Sequence, residues 1–183
     1  MKLNYVDYSK YKYKVERLYL ESFPKEERFP FWILEECSKE DNSMLYAIVD
    51  NDTFVGMCYL VNCGNAYYLM YIAVEQELRD KGYGYKILND LKNKYNTLFL
   101  SIEYNKDEIS IKRKQFYLRN EFYKTNKFYE DTGVLYEVLC TNKKYEITED
   151  NMKKRYSNMS SIPKIYEIIS NTFNTNEVKL INK

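Results

Sequence analysis

Histidine is missing from the chain altogether, and other special-purpose residues are scarce: five glycines, four cysteines, three prolines and one tryptophan in 183 residues. Without imidazole no Ser-His or Cys-His nucleophile can be built. Any general base is therefore a carboxylate, a lysine, a tyrosine or a water. The cysteines, Cys37, Cys58, Cys63 and Cys140, show no C-x-x-C spacing, so the expectation is no metal site and reduced thiols in a cytoplasmic protein. An excess of one charge is lacking too. Lys and Arg total 28 against 27 Asp and Glu, and no basic run is sustained, which removes bulk electrostatics as a route to nucleic acid. No continuous apolar stretch suits a signal peptide or a membrane span, so no membrane role is expected. The length suits one domain with its own core.

Against this scarcity of glycine, two of the five fall two residues apart in Tyr71–Leu88, YIAVEQELRDKGYGYKIL. The stretch opens as a strand, with Tyr71, Ile72 and Val74 suited to a pleated, half-buried surface. It closes as a helix, with Ile87, Leu88 and Leu91 on one face. Between them lie Arg79, Asp80, Lys81, Gly82, Tyr83 and Gly84. A helix N-terminus carries unpaired N–H groups and partial positive charge, which attract phosphate. Gly82 and Gly84 let the backbone close on the anion, while Arg79 and Lys81 add formal charge. The segment reads as a pyrophosphate cradle. It is not a Rossmann fingerprint, because Ile87 stands where the third glycine belongs, and no P-loop string occurs in the chain.

An apolar strand ending in Ala73-Val74, followed by Arg79-x-x-Gly82-x-Gly84, resembles the acetyl-CoA motif of the GCN5-related N-acetyltransferases, the GNAT family. Gln76 replaces the family's usual proline, and Asp80 replaces a common glycine. A second resemblance follows in Arg113-Lys114-Gln115-Phe116-Tyr117-Leu118-Arg119-Asn120-Glu121-Phe122, similar to the family's R-x-x-Phe-Tyr-x-x-x-Gly-Phe segment. Glu121 stands at the glycine, so the left-handed position ending that helix falls to Asn120 or is managed differently. The resemblance runs from about Leu3 to Cys140.

The coarse pattern agrees with that family. A short strand at Leu3–Tyr8 precedes a helix marked by Tyr11, Val15, Leu18, Tyr19 and Phe23 and stopped by Pro24. A charged loop, Pro24–Pro30, leads to a helix at Phe31–Ser38 with Trp32, Ile33 and Cys37 available for packing. Met44–Val49 and Thr53–Val61 flank the hairpin turn Asp50-Asn51-Asp52, and Ala66–Val74 follows. After the helix Tyr83–Tyr95, the strand Thr97–Glu103 is expected parallel to its predecessor. A helix at Ile109–Asn120 and a hairpin, Phe122–Tyr129 with Val134–Cys140 around Asp131-Thr132-Gly133, complete the motif region. The expected fold class is α+β: a single GNAT-type domain, a mixed twisted sheet of about seven strands with helices on both faces, and a C-terminal helical appendage. The domain is placed at residues 1–141. The extension at 142–183 holds helices at Thr148–Tyr156 and Lys164–Phe173, and its stripe of Ile165, Ile168, Ile169 and Phe173 needs a partner surface. That surface lies on the same domain, over the acceptor side, or on a second subunit, so a homodimer is possible.

The resemblance implies an N-acetyltransferase that moves acetyl from acetyl-CoA to a primary amine by direct attack in a ternary complex. The acceptor is expected to be a small molecule before a protein. Acetyl-CoA would contact Ile72, Ala73, Val74, Arg79, Asp80, Lys81, Gly82, Tyr83, Gly84 and Arg113, with the Ile72 amide polarising the thioester carbonyl. Tyr117 is the candidate proton donor to the departing thiolate. Some family members carry a glutamate four residues before Ile72; Tyr68 stands there, which leaves Glu103, at the end of TLFLSIE, as the candidate base. The helix pair overhanging the acceptor makes Glu27 and Arg28 candidate acceptor contacts. Two alternatives remain: a non-catalytic acyl-CoA-binding or sensing module of the same fold, and an interaction protein in which Arg79–Gly84 is only a turn.

Overall fold

The computed structural model describes residues 3–104, 107–131, 133–173 and 178–182. One sheet organises them. Its strands are β1 (Asn4–Asp7), β2 (Ser43–Asp50), β3 (Thr53–Asn62), β4 (Tyr67–Val74), β5 (Leu98–Glu103), β6 (Tyr123–Asp131), β7 (Val134–Cys140) and β8 (Ile181–Asn182). They run in the order β1-β2-β3-β4-β5-β7-β6-β8. The expected seven strands become eight because β8, two residues long, adds to the free edge of β6. All neighbours are antiparallel except β4 and β5. The β2–β3 turn has Asn51 at φ 45° and Asp52 at φ 62°, the left-handed pair that a two-residue hairpin of matching twist demands. The Asp131-Thr132-Gly133 turn lies partly outside the described residues, at Thr132.

Six α-helices cover the two faces: α1 (Lys12–Ser22), α2 (Phe31–Cys37), α3 (Tyr83–Lys94), α4 (Glu108–Arg119), α5 (Glu149–Ser157) and α6 (Pro163–Thr172). On one face α3 buries Ile87, Leu88 and Leu91 with Leu69, Leu98, Leu100 and Ile102 of the sheet, and α4 adds Tyr117. Each of those aliphatic side chains stabilises by about 1.5–3 kcal/mol when removed from water. On the other face Val15, Leu18 and Tyr19 of α1 and Ile33, Leu34 and Cys37 of α2 meet Met57, Tyr59, Tyr71 and Phe99. Trp32 departs from expectation: it is half exposed, and Leu34 takes the packing position instead. The same cluster receives Met152 and Tyr156 of α5 and Ile165 and Ile169 of α6. The apolar stripe on α6 therefore finds a surface within the chain.

Helix starts follow local chemistry. Asp107 caps α4 by accepting from Ser110 N at 2.7 Å, and Ser110 Oγ accepts in return from Asp107 N at 3.0 Å. Thr148 and Asn151 form the equivalent reciprocal pair at α5. Pro163 sits at the first turn of α6, where its missing N–H costs nothing.

Candidate active site

The parallel ladder between β4 and β5 is brief. Tyr67 pairs with Leu98 and Tyr68 with Phe99, after which both strands continue, to Val74 and to Glu103, without pairing. The sheet splits there. The gap is a cleft of about 630 Å³ whose walls include Leu69–Val74 on one side and Leu100–Glu103 on the other.

A bulge sets which backbone groups face this gap. Tyr59 pairs with Tyr71 but Leu60 with Leu69, so Met70 is an extra residue in β4. Tyr67 N donates to Thr97 O, toward β5, whereas Glu75 N donates to Val55 O, toward β3. Counting back from Glu75 by alternation turns Ala73 toward β3 and turns Val74 and Ile72 toward the cleft. Unbroken alternation from Tyr67 through Met70 would turn Ile72 the other way. The inserted residue thus presents the Ile72 N–H to the cleft as an unpaired donor.

At one end of the cleft stands the N-terminus of α3. Gly82, its N-cap, has φ 80° and offers no side-chain cap to the first amides, which leaves them for a ligand. Asp80, where the family motif has glycine, holds the left-handed conformation all the same, at φ 59°. Arg79 lines the cleft and its Nε donates to Val74 O at 3.1 Å. Arg113 of α4 also lines it, giving two formal positive charges beside the helix end. Gly84 is needed for packing as well: a Cβ there would lie 3.0 Å from Phe116 Cζ. Two of the expected contacts differ. The Tyr83 hydroxyl is turned to Asp50, donating to Oδ2 at 3.0 Å, and Lys81 is exposed outside the cleft lining. Tyr83 is the first residue of α3, so its backbone amide stands at the helix end.

Tyr117 and Glu103 both line the cleft. Tyr117 is buried beside Phe116 and Phe122, with ring centroids at 5.4 and 5.5 Å. Burial pushes its hydroxyl up to about 12, against a smaller lowering by Arg113, so the phenol keeps its proton at neutral pH. Glu103 is paired across the β5–β7 ladder with Tyr136.

The far end of the cleft is aromatic and acidic. Glu27, Phe29, Tyr68, Tyr129, Asp131 and Tyr136 line it. The Tyr136 hydroxyl is raised first by burial and then by the fields of Glu103 and Glu27. Tyr129 and Tyr136 stack, with centroids at 5.2 Å. The loop carrying Glu27 is pinned: Tyr71 OH donates to Glu27 O at 3.2 Å and Tyr19 OH to Phe29 O at 3.0 Å. Arg28 belongs to this pinning and not to the cleft lining. Its Nη1 donates to Leu20 O at 2.9 Å and to Phe23 O, satisfying carbonyls at the end of α1. Sequence reasoning did not find Tyr129, Asp131, Tyr136, Arg155, Tyr156 and Phe173, which complete this end. Strand alternation puts Tyr129 and Asp131 on one face of β6, but nothing local says that β7 and β6 follow β5 in that order. All four cysteines are buried and unbridged, and burial pushes the Cys37, Cys58 and Cys63 thiols up to about 12, which makes them poor nucleophiles.

The family model described as Acetyltransferase (GNAT) family matches residues 12–112. The chain belongs to the GNAT family. A protein of Bacteroides thetaiotaomicron assigned as a GNAT acetyltransferase has a similar structure, with a TM-score of 0.65 and 23% identity over 76% of this chain and 86% of its own. An acetyltransferase of Bacillus subtilis in complex with CoA gives 0.58 and 17%, over 77% and 97%. The aminoglycoside 6'-N-acetyltransferase of Enterococcus faecium gives 0.61 and 14%, over 81% and 100%. At these identities the likeness is one of fold. A search of the curated proteins found no match. No helix among the described residues is long and apolar enough to cross a membrane.

Proposed function

We propose that this GNAT protein is an N-acetyltransferase that moves acetyl from acetyl-CoA to a primary amine by direct attack in a ternary complex. The observation that carries the reading is the split between β4 and β5, which joins an anion-binding helix end to an acidic, aromatic pocket through one cleft. The pyrophosphate would rest on the first amides of α3 between Arg79 and Arg113. The pantetheine would lie along Ile72–Val74, whose backbone faces the gap, and the thioester oxygen would accept from the Ile72 N–H. One backbone donor aimed at a developing oxyanion is worth roughly 3–4 kcal/mol.

The reaction balances within this set. The amine nitrogen, freed of its ammonium proton by Glu103 directly or through water, attacks the thioester carbonyl carbon. The nitrogen then gives up its second proton to water, the tetrahedral oxyanion collapses, the C–S bond breaks, and the thiolate takes the Tyr117 proton. Products are the acetylamide and CoA thiol, and solvent exchange resets Tyr117 and Glu103. Glu27 is the acceptor contact carried by this reading. The aromatic lining of the pocket supports a small acceptor. So does the fold shared with an aminoglycoside N-acetyltransferase and with a spermidine N-acetyltransferase chimera that includes Vibrio cholerae sequence, at a TM-score of 0.60 and 13% identity.

Acetyl-CoA should raise the melting temperature while NAD leaves it unchanged, because a ligand that binds only the native state stabilises by RT ln(1 + [L]/Kd). CoA-thiol release with a panel of amines tests transfer itself. No shift at millimolar acetyl-CoA would overturn the reading. A shift without release for any amine would favour the acyl-CoA sensor.

A further inference from the structure

Arg155, on α5, is the least expected residue in the acceptor pocket. It lines the cleft yet is only 1% exposed. Its Nε donates to Met152 O at 3.0 Å, and its Nη1 to Tyr129 OH at 2.5 Å and Tyr68 OH at 3.4 Å. Among the described residues the buried Nη2 has no acceptor and Arg155 forms no ion pair. Three rings close around the guanidinium, with Cζ 4.4 Å from the centroids of Tyr129 and Tyr156 and 5.6 Å from Tyr68. Ring faces ease the burial of a cation but supply no oxygen to Nη2. Nor do the phenols neutralise it: burial holds the Tyr129 and Tyr156 hydroxyls far above their ordinary value, hence uncharged.

A buried guanidinium with one nitrogen unfilled is costly unless an oxyanion completes it. Arg155 lines the cleft, so a ligand bound there can bring the oxyanion. Glu27, Glu103 and Asp131 line the same pocket. An amine acceptor without a carboxylate leaves Nη2 unfilled. One that carries a carboxylate fills it.

We propose that the acceptor is of the amino-acid class, an amine that also bears a carboxylate, with the carboxylate docked on Nη2 of Arg155 and the amine turned toward Glu103 and the thioester. This rests on the acetyl-transfer reading. The guanidinium would bind and orient the acceptor and take no part in proton transfer.

The test uses the full chain and the twenty common amino acids, each paired with its carboxamide, with spermidine as a carboxylate-free amine. In CoA-thiol release, the free acid should be used at a KM at least about tenfold below that of its amide. Arg155→Met should erase that ratio while the acetyl-CoA thermal shift persists, and Arg155→Lys, which keeps charge without the planar fork, should fall between. Equal use of acid and amide, or spermidine as the best acceptor, overturns the proposal. An acid preference that survives in Arg155→Met also overturns it, because the carboxylate would then dock elsewhere. If Arg155→Met does not fold, the acid–amide comparison on the unaltered protein, with Arg155→Lys, still decides. If acetyl-CoA binds but no amine is turned over, acetyl transfer is what has failed. The docking is then read separately, from the melting temperature of the CoA-bound protein with N-acetyl amino acids and their amides. A shift by the acids alone upholds it, and no shift overturns it.

Discussion

At the scale of single residues, Tyr117 separates chemistry from packing most sharply. Its ring is held between Phe116 and Phe122, so Tyr117→Phe keeps the packing and removes only the proton. If the phenol protonates the thiolate, kcat should fall on the order of 10²–10⁴-fold with acetyl-CoA affinity little changed. Steady-state kinetics and a binding isotherm check this. An unchanged kcat, with chemistry rate-limiting, removes Tyr117 from the mechanism, and weakened binding with kcat retained makes it a cofactor contact. Tyr117 was legible beforehand because its register with Phe116 and Arg113 is local. Arg155 was not. In the string Lys153-Lys154-Arg155-Tyr156 it reads as one more solvated charge, and only the packing of α5 against β4 and β6 carries it inside. Arg28 shows the reverse case: a charged loop residue beside the expected acceptor site bonds carbonyls at the end of α1, which its local sequence does not reveal.

At the scale of elements, local periodicity located β4, α3 and α4 to within a residue or two, because each alternates or repeats strongly enough to outweigh its neighbours. The bulge at Met70 left no such trace, although it decides which amides of β4 meet the cleft. The end of α4 shows how an unfavourable residue is accommodated. Asn120 does not take the left-handed position (φ −99°); Glu121 does, at φ 63°. Asn120 Nδ2 instead donates to Phe116 O at 2.7 Å, and Lys92 Nζ reaches both Asn120 O and the Glu121 carboxylate. The left-handed region costs a residue with a Cβ roughly 1–2 kcal/mol, while an exposed ion pair contributes little. Glu121→Gly should therefore raise the melting temperature, by about 2–4 °C for a chain of this size. The sign of the pH dependence is also fixed. Lys92 lowers the Glu121 carboxyl, so the pair stabilises above the ordinary carboxylate pKa and is lost as pH falls through the lowered one. The gain on substitution should be larger in acid than at neutral pH. Thermal melts at the two pH values check both, and a fall in melting temperature at neutral pH would show that the ion pair outweighs the backbone.

At the scale of the molecule, the sheet order β5-β7-β6 and the return of the chain through α5 and α6 join residues far apart in sequence, which no local pattern specifies. Ser43 Oγ donates to Met159 O at 3.1 Å, and Asn158 Nδ2 to Asn62 O at 2.7 Å. These bonds tie the segment between α5 and α6 to β2 and β3. Met152, Tyr156, Met159 and Ile169 lie in the same apolar cluster as α1 and α2. At about 1.5–3 kcal/mol each, their burial contributes roughly 6–12 kcal/mol as an upper estimate, and whole domains are stable by only about 5–15 kcal/mol. Phe173 adds to the closure, stacked on Tyr156 at 5.7 Å and edge-on to Phe29 at 4.7 Å. A chain cut after residue 141 would keep both motif segments and the β4–β5 split, yet would expose the floor of the acceptor pocket and a large part of one core. It should lose the cooperative thermal transition, bind a hydrophobic dye, and show no acetyl-CoA shift. The full chain should melt in a single transition when followed by circular dichroism and by tyrosine fluorescence. A truncated chain that melted cooperatively near the full-length temperature and still responded to acetyl-CoA would show that residues 1–141 form the self-sufficient unit and that α5 and α6 serve the acceptor alone.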